Sequence, residues 1–392
     1  MINSIEGIQS NPVSAITVNM VPGSGLAEKL SWLQTNALSN VDYMIEVTAA
    51  ESIGPTTLSY SNRTNIGIIL RGTGAARTVS LSSNGAMFTV ASGITLVLDN
   101  NITLQGRSNN NDSLVRVNAG GTLVMNMGSH IIGNTSNDYG GGVYVSGTFT
   151  MNGGTVSGNT ASLSYDNGGG VYVNGGTFTM NGGTISGNTA TSGGGVAVFN
   201  SGTFTMSGGT ISSNTVFSTG GGVYVNNNGT FTMNSGTISS NIASGSSSSS
   251  GGGVSVLDGT FTMNSGTISS NTATYGGGVS VLGREVPYES ESGTFAMSGG
   301  TVSGNTASSY YGGGVYVNSN ATFTKIGNSI ITGWEDDTIN GNVVKNSFGT
   351  VQSNLGHAVY VDSSPVKRRE TTAGPSVNMN SSVAGSAGGW DY

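Results

Sequence analysis

One block dominates the chain: GGGVYV…GTFTMNGGTISGNTA recurs six times with small changes between Gly140 and Thr306, and weaker copies flank it. A self-similar period of this length marks a chain that stacks on itself as a solenoid. The glycine triplets begin at Gly140, Gly168, Gly193, Gly220, Gly251, Gly276 and Gly312, at steps of 28, 25, 27, 31, 25 and 36 residues. One internal distance is constant. Ten residues separate Phe149 from Asn159, Phe178 from Asn188, Phe204 from Asn214, Phe231 from Asn241, Phe261 from Asn271 and Phe295 from Asn305. All variation lies between the asparagine and the next triplet, or between the triplet and the next phenylalanine. The spacing predicts three short strands per coil of roughly 25–30 residues, joined by one fixed turn and two variable loops.

Alternation within each block supports strands. The valines of Val143-Tyr144-Val145 point one way and the tyrosine the other; Phe149 and Met151 oppose Thr148 and Thr150; Val156 opposes Thr155 and Ser157. Each coil thus sends about five apolar side chains to one interior, worth on the order of 1.5–3 kcal/mol apiece when buried. That burial offsets the ordering cost of glycine-rich chain. Gly, Thr, Val and Asn saturate the blocks, which disfavours helix. Coils stacked at about 4.8 Å place the terminal asparagines in a column, where their amides are expected to form a ladder. The expected fold is an all-β, right-handed parallel β-helix.

The charge pattern narrows the partners. Charged residues make up 8% of the chain, net charge is −7, and Gly140 to Gly283 carries only Asp166 and Asp258. A full hydrophobic rhythm with so little charge is not the composition of a disordered chain. No basic stripe with interleaved aromatics points to nucleic acid; Lys367-Arg368-Arg369 is the one basic cluster, and Glu370 follows it. There is no cysteine, so neither a disulfide framework nor thiol chemistry is expected. His130 and His357 stand apart without ligand-like spacing, and read as substituted turn residues. No cofactor is expected, and no apolar run is long enough for a transmembrane segment. The opening MINSIEGIQSNPVSA has neither the basic nor the apolar region of an export signal.

Along the chain, residues 1–23 read as an irregular leader and 24–40 as a helix capping the solenoid, with Leu26, Leu30, Leu33 and Ala37 at helical spacing. Residues 41–361 read as the β-helix, its early strands at Tyr43 to Val47, Ile66 to Leu70, Thr78 to Leu81, Met87 to Val90, Ile94 to Leu98 and Leu114 to Val117. Insertions are expected at Ser162 to Asn167, Ser246 to Ser250 and Arg284 to Ser292, and residues 362–392 read as a polar, flexible tail.

From about residue 85 to 361, the GGGV and I/V-S-x-N motifs, as in Gly193-Gly194-Gly195-Val196 and Ile211-Ser212-Ser213-Asn214, resemble the polymorphic outer-membrane protein repeat family. In that family a GGA-plus-apolar motif is paired with F-x-x-N. The resemblance implies a bacterial cell-surface, passenger-like β-helix associated with adhesion and antigenic display. The family's usual cysteines are absent here, and no alternating strands of a membrane barrel precede the closing SAGGWDY.

Three functions compete on these residues. The first is non-enzymatic binding of host or matrix glycans or proteins, through an outward row of Tyr144, Tyr172, Tyr224 and Tyr316, interrupted by Ala197, Ser255 and Ser280, together with the threonine faces and inserted loops. The second is ice binding. Pairs Thr148/Thr150, Thr177/Thr179, Thr203/Thr205, Thr230/Thr232 and Thr260/Thr262, continued by Thr294/Ala296 and Thr322/Thr324, make a T-x-T grid similar to the face of insect β-helical antifreeze proteins. The third is polysaccharide cleavage, since right-handed β-helices resemble pectin-degrading enzymes. Those need clustered acids on one face, and the only candidates are Glu285/Glu289/Glu291 and Glu335/Asp336/Asp337, the latter also a conceivable Ca²⁺ position. The reading adopted is the first, without catalysis or a metal.

Overall fold

The computed structural model describes residues 18–162, 167–245, 247–285, 290–383 and 385–390. They form a parallel β-solenoid of about 11 turns with coils of about 27 residues. Four parallel sheets run along it, with 13, 12, 11 and 8 strands. The first carries the TFTM segments, the second the VYV segments that follow the triplets, and the third the TIS segments.

The fourth sheet is a correction to the expected three strands per coil. It consists of two-residue strands directly after the asparagines, from Thr135–Ser136 through Thr215–Val216 to Val343–Val344. Its cause is the asparagine column. Asn214 donates both its backbone N–H (3.0 Å) and its side-chain amide (2.9 Å) to Oδ1 of Asn241, and the amide's second proton goes to the Ile185 carbonyl of the preceding coil (3.1 Å). Pinned to both neighbours, the asparagine carries the next two residues into register. The ladder runs through Asn159, Asn188, Asn214, Asn241, Asn271 and Asn305, and extends beyond the regular repeats to Asn110 and Asn134 at one end and Asn342 at the other. All nine are fully buried.

Inside, the expected five side chains per coil are present. Val196, Val198, Phe204, Met206 and Ile211 are each 0% exposed, and successive coils repeat the set in register. From Phe149 to Phe295, ring centroids sit 4.6–4.7 Å apart with planes only 4–8° from parallel. Neighbouring strands in ordinary sheets rotate by about 20–25°, so these coils stack almost by pure translation. The triplets make this approach possible. A Cβ on Gly222 would lie 2.6 Å from the Gly253 carbonyl oxygen and 2.8 Å from Ile238 Cγ2.

Both ends are closed. The helix Leu26–Asn36 buries Leu26, Leu30 and Leu33, and ties down through Lys29 Nζ to the Glu46 carbonyl (2.6 Å) and through Glu51 Oε2, which accepts from the Leu26 N–H (2.6 Å). Of the expected irregular leader, residues 1–17 lie outside the described residues, and Val18–Met20 is a strand parallel to Val41–Val47.

The expected flexible tail is instead an ordered cap. Lys367–Arg369 pairs antiparallel with Val359–Val361, and Met379–Asn380 pairs antiparallel with Thr322–Lys325. Ala373, Met379 and Trp390 are buried against the last coils. Antiparallel pairing ends the parallel ladder and removes a free strand edge. The basic cluster serves this closure: Lys367 Nζ donates to the Ser381 carbonyl (2.6 Å) and Arg369 to those of Gly389 and Thr372 (both 3.1 Å).

Lys325 stands where earlier coils place Met263 and Met297, and is fully buried. Its Nζ donates to the carbonyls of Gly374 (2.8 Å) and Val377 (2.7 Å). Burial, and secondarily the charge of Arg369, hold its pKa down to about 8 from 10.5. Between those values the unfolded chain binds the proton and the folded chain does not, so this lysine makes stability rise as pH climbs from about 8 to 10.5. Melting Lys325→Met beside the parent across this range checks it. The parent should gain relative to the variant, and parallel curves would refute the assignment.

Candidate functional site

Two outer faces carry the candidate residues. On the first, the T-x-T pairs are aligned without a slip: Thr148, Thr177, Thr203, Thr230, Thr260, Thr294 and Thr322 form one column, and Thr150, Thr179, Thr205, Thr232, Thr262, Ala296 and Thr324 the other. Thr148, Thr177 and Thr322 are exposed and the rest of both columns half-buried. The adjoining sheet adds Thr155/Ser157, Thr184/Ser186, Thr210/Ser212, Thr237/Ser239 and Thr267/Ser269 in the same register. Strand geometry spaces this lattice at about 6.7 Å along the chain and about 4.8 Å between coils. The parallel phenylalanines beneath it keep the face flat.

The tyrosine row differs from expectation. Tyr144, Tyr172, Tyr224 and Tyr316 do occupy one outward column, with Tyr360 at its end, but Tyr172, Tyr224 and Tyr316 are only 5–8% exposed. The reason lies in the turn. The first glycine of each triplet (Gly220, φ +67°) folds back against the residue four positions later, so that a Cβ on Gly220 would sit 2.8 Å from Tyr224 Cβ. Flanking rings complete the cover. Tyr172 is stacked by Tyr139 (4.8 Å) and touched by Tyr144 (5.5 Å) and Phe199 (5.4 Å), and burial pushes its hydroxyl pKa up. Tyr144 remains half-buried, with the Arg116 guanidinium 4.3 Å from its ring centroid and Arg116 itself paired to Asp112 and Asp138.

A second aromatic set comes from residues just before the triplets and was missed in the sequence. Tyr139, Tyr275 and Tyr311 sit there, and their shared offset from GGGV was the available signal. Two shallow recesses lie among these aromatic residues. One, of about 410 Å³, is lined by Tyr139, Asn167, Phe199, Tyr224 and Asn226 among others, beside the position where Ala197 interrupts the row. The other, of about 290 Å³, is lined by Ser248, Ser250, Tyr275, Leu282 and Tyr316, where Ser255 and Ser280 interrupt it.

The remaining candidates hold structure together. His357 replaces the middle glycine of a triplet, and its Nδ1 accepts the Val344 N–H (3.0 Å). Burial holds its pKa down, opposed by Glu370, whose carboxylate accepts from the backbone N–H groups of Gly356 (2.7 Å) and His357 (3.0 Å). His130 lies on a strand between Thr103 and Thr155 rather than in a turn. Asp337 accepts from the backbone N–H (2.9 Å) and side-chain amide (3.0 Å) of Asn340 and from the Ile339 N–H (3.0 Å), which lowers its pKa, and Asp336 accepts from the Thr372 N–H. Among the described residues, no three His, Cys, Asp or Glu side chains converge as a metal site. The side chains of Glu285, Glu289 and Glu291, and residues 163–166 of the first insertion, lie outside the described residues. Gly283–Glu285 and Ser290–Ser292 pair antiparallel at the backbone. No helix among the described residues is long and apolar enough to cross a membrane.

Fold and faces together define a β-solenoid repeat protein. No protein-family model, curated protein or solved structure matches the chain.

Proposed function

We propose that this chain is a non-enzymatic structural and adhesive module of a cell surface, holding glycans or proteins of a host or matrix on its outer faces. The observation that supports this best is the T-x-T lattice, in register over seven coils, flat over the six from Phe149 to Phe295, and lying in a region almost without charge. A rigid periodic face of hydroxyls and methyls suits an extended, repeating partner, because binding costs little ordering of the protein. The likeness of its motifs to polymorphic outer-membrane protein repeats supports the surface setting. An array of glycans and matrix proteins probed with the full chain tests the reading, with and without chelator. The expected result is a reproducible ligand lost when Thr205 and Thr230 become lysine. Efficient cleavage of a polysaccharide on the array would reject the non-enzymatic reading.

The flatness of the same lattice favours one alternative, ordered water or ice as the periodic partner. Recrystallisation inhibition abolished by Thr177→Lys, Thr205→Lys and Thr230→Lys would establish it, and inhibition that persists in the triple variant would remove it.

A further inference from the structure

We propose that the recess between Tyr275 and Tyr316 is a binding site for a neutral saccharide unit. This inference rests on the adhesive reading and adds to it a second site, apart from the threonine lattice, with its own ligand class.

The recess exists because two rings are missing. In the outward column Tyr224 is followed by Ser255 and Ser280 before Tyr316 restores an aromatic ring. The space of about 290 Å³ that results is walled by rings on one side. Tyr275 is half-buried, stacked on Tyr310 (4.7 Å, 3°) and inclined to Tyr316 at 5.1 Å. Leu282 extends the apolar wall. Ser250 closes the recess, held in place between Thr219 and Tyr275 by backbone bridges to the coils on either side.

The Ser250 hydroxyl is what points to a ligand. The residue is 2% exposed, and its Oγ, like those of Ser255 and Ser280, has no hydrogen-bond partner among the described residues; of the three, Ser250 is the one that lines the recess. Buried hydroxyls are normally satisfied, and leaving one unpaired costs about 1–3 kcal/mol. An apolar occupant would leave that hydroxyl unpaired. Among the described residues, no Lys or Arg side chain lines the recess to hold an anion. A sugar ring matches what remains: its C–H face packs on a tyrosine ring, and its hydroxyls pair with Ser250 once rotation about χ1 turns the sealed Oγ toward the recess. Ser248, exposed at the mouth, adds a second hydroxyl on the solvent side.

The test uses the full chain, its Tyr275→Ala and Ser250→Ala variants, and the Thr205→Lys variant of the flat face, on an array of neutral oligosaccharides, sialylated oligosaccharides and matrix proteins. Hits are titrated by calorimetry, and melting curves verify folding. Neutral oligosaccharides should bind the parent, with affinity falling about tenfold in Tyr275→Ala and about fivefold in Ser250→Ala. Ser250→Ala separates ligand binding from stability, because removing an unpaired buried hydroxyl should leave the melting temperature unchanged or raise it. Glycan binding lost in Thr205→Lys but unaltered in both recess variants overturns this site and leaves the adhesive reading standing. A parent that binds matrix proteins but no glycan does the same. An array blank for glycans and proteins alike overturns both.

Discussion

Replacing Asn214 with alanine is expected to destabilise the solenoid by about 4 kcal/mol, far more than an asparagine of this size contributes on a surface. The substitution strands several partners at once. Asn188 loses the acceptor of both its backbone N–H and its side-chain amide (each 3.0 Å), the Ile185 carbonyl loses its donor, and Oδ1 of Asn241 loses one of two. All of this lies where the asparagines are 0% exposed, so water cannot substitute. The chain supplies its own control. Asn264 also belongs to a column, donating to Asn234 (2.9 Å) and accepting from Ser298 (3.1 Å), but it is exposed. Asn264→Ala should cost less than about 0.5 kcal/mol. Because each coil contacts only its neighbours, hydrogen exchange is the better readout: protection should collapse around the 188, 214 and 241 coils before the ends respond. Equal effects of the two substitutions would refute the ladder as the main polar support.

Ending the chain after Val361 should have the second large effect. It removes the buried side chains of Met379 and Trp390, worth about 5 kcal/mol together, and uncovers the edge of Val359–Val361 that Lys367–Arg369 now pairs. An uncovered parallel edge with a flat, hydrophobic interior behind it is a template for a second copy. Sedimentation of the shortened chain should therefore show concentration-dependent association that the full chain lacks, together with a lowered melting temperature. A shortened chain that sediments as one species and melts with its parent would show that the last 31 residues do not cap the fold.

These two results concern features that were unequally legible. The asparagine column could be read in advance, because the constant ten residues from phenylalanine to asparagine force equivalent amides to stack. The cap could not. SAGGWDY and the polar stretch before it have no strand rhythm, and Lys367–Arg369 becomes a strand only because Val359–Val361 offers it an unpaired edge. Lys325 at a methionine position belongs with the cap: the carbonyls of Gly374 and Val377 that receive its amine are brought there only by the folded tail.

The candidate sites divide the same way. Alternation by itself determined which side chains of each strand face the core and which face out, because successive residues of a strand must point to opposite sides. It therefore placed the threonine lattice correctly, along with the phenylalanine, methionine and valine columns. Whether an outward residue meets solvent is a different matter, decided by whatever chain passes over it. Tyr172, Tyr224 and Tyr316 point away from the core yet are buried, because the glycine turn and the rings of neighbouring coils lie across them. Apart from the glycine turn and the tyrosines just before the triplets, that cover is assembled from residues one or more coils away, which no local pattern reports. The recess at Ser250 follows from the same cause. It is a gap in the cover, and a gap exists only once the coils are stacked.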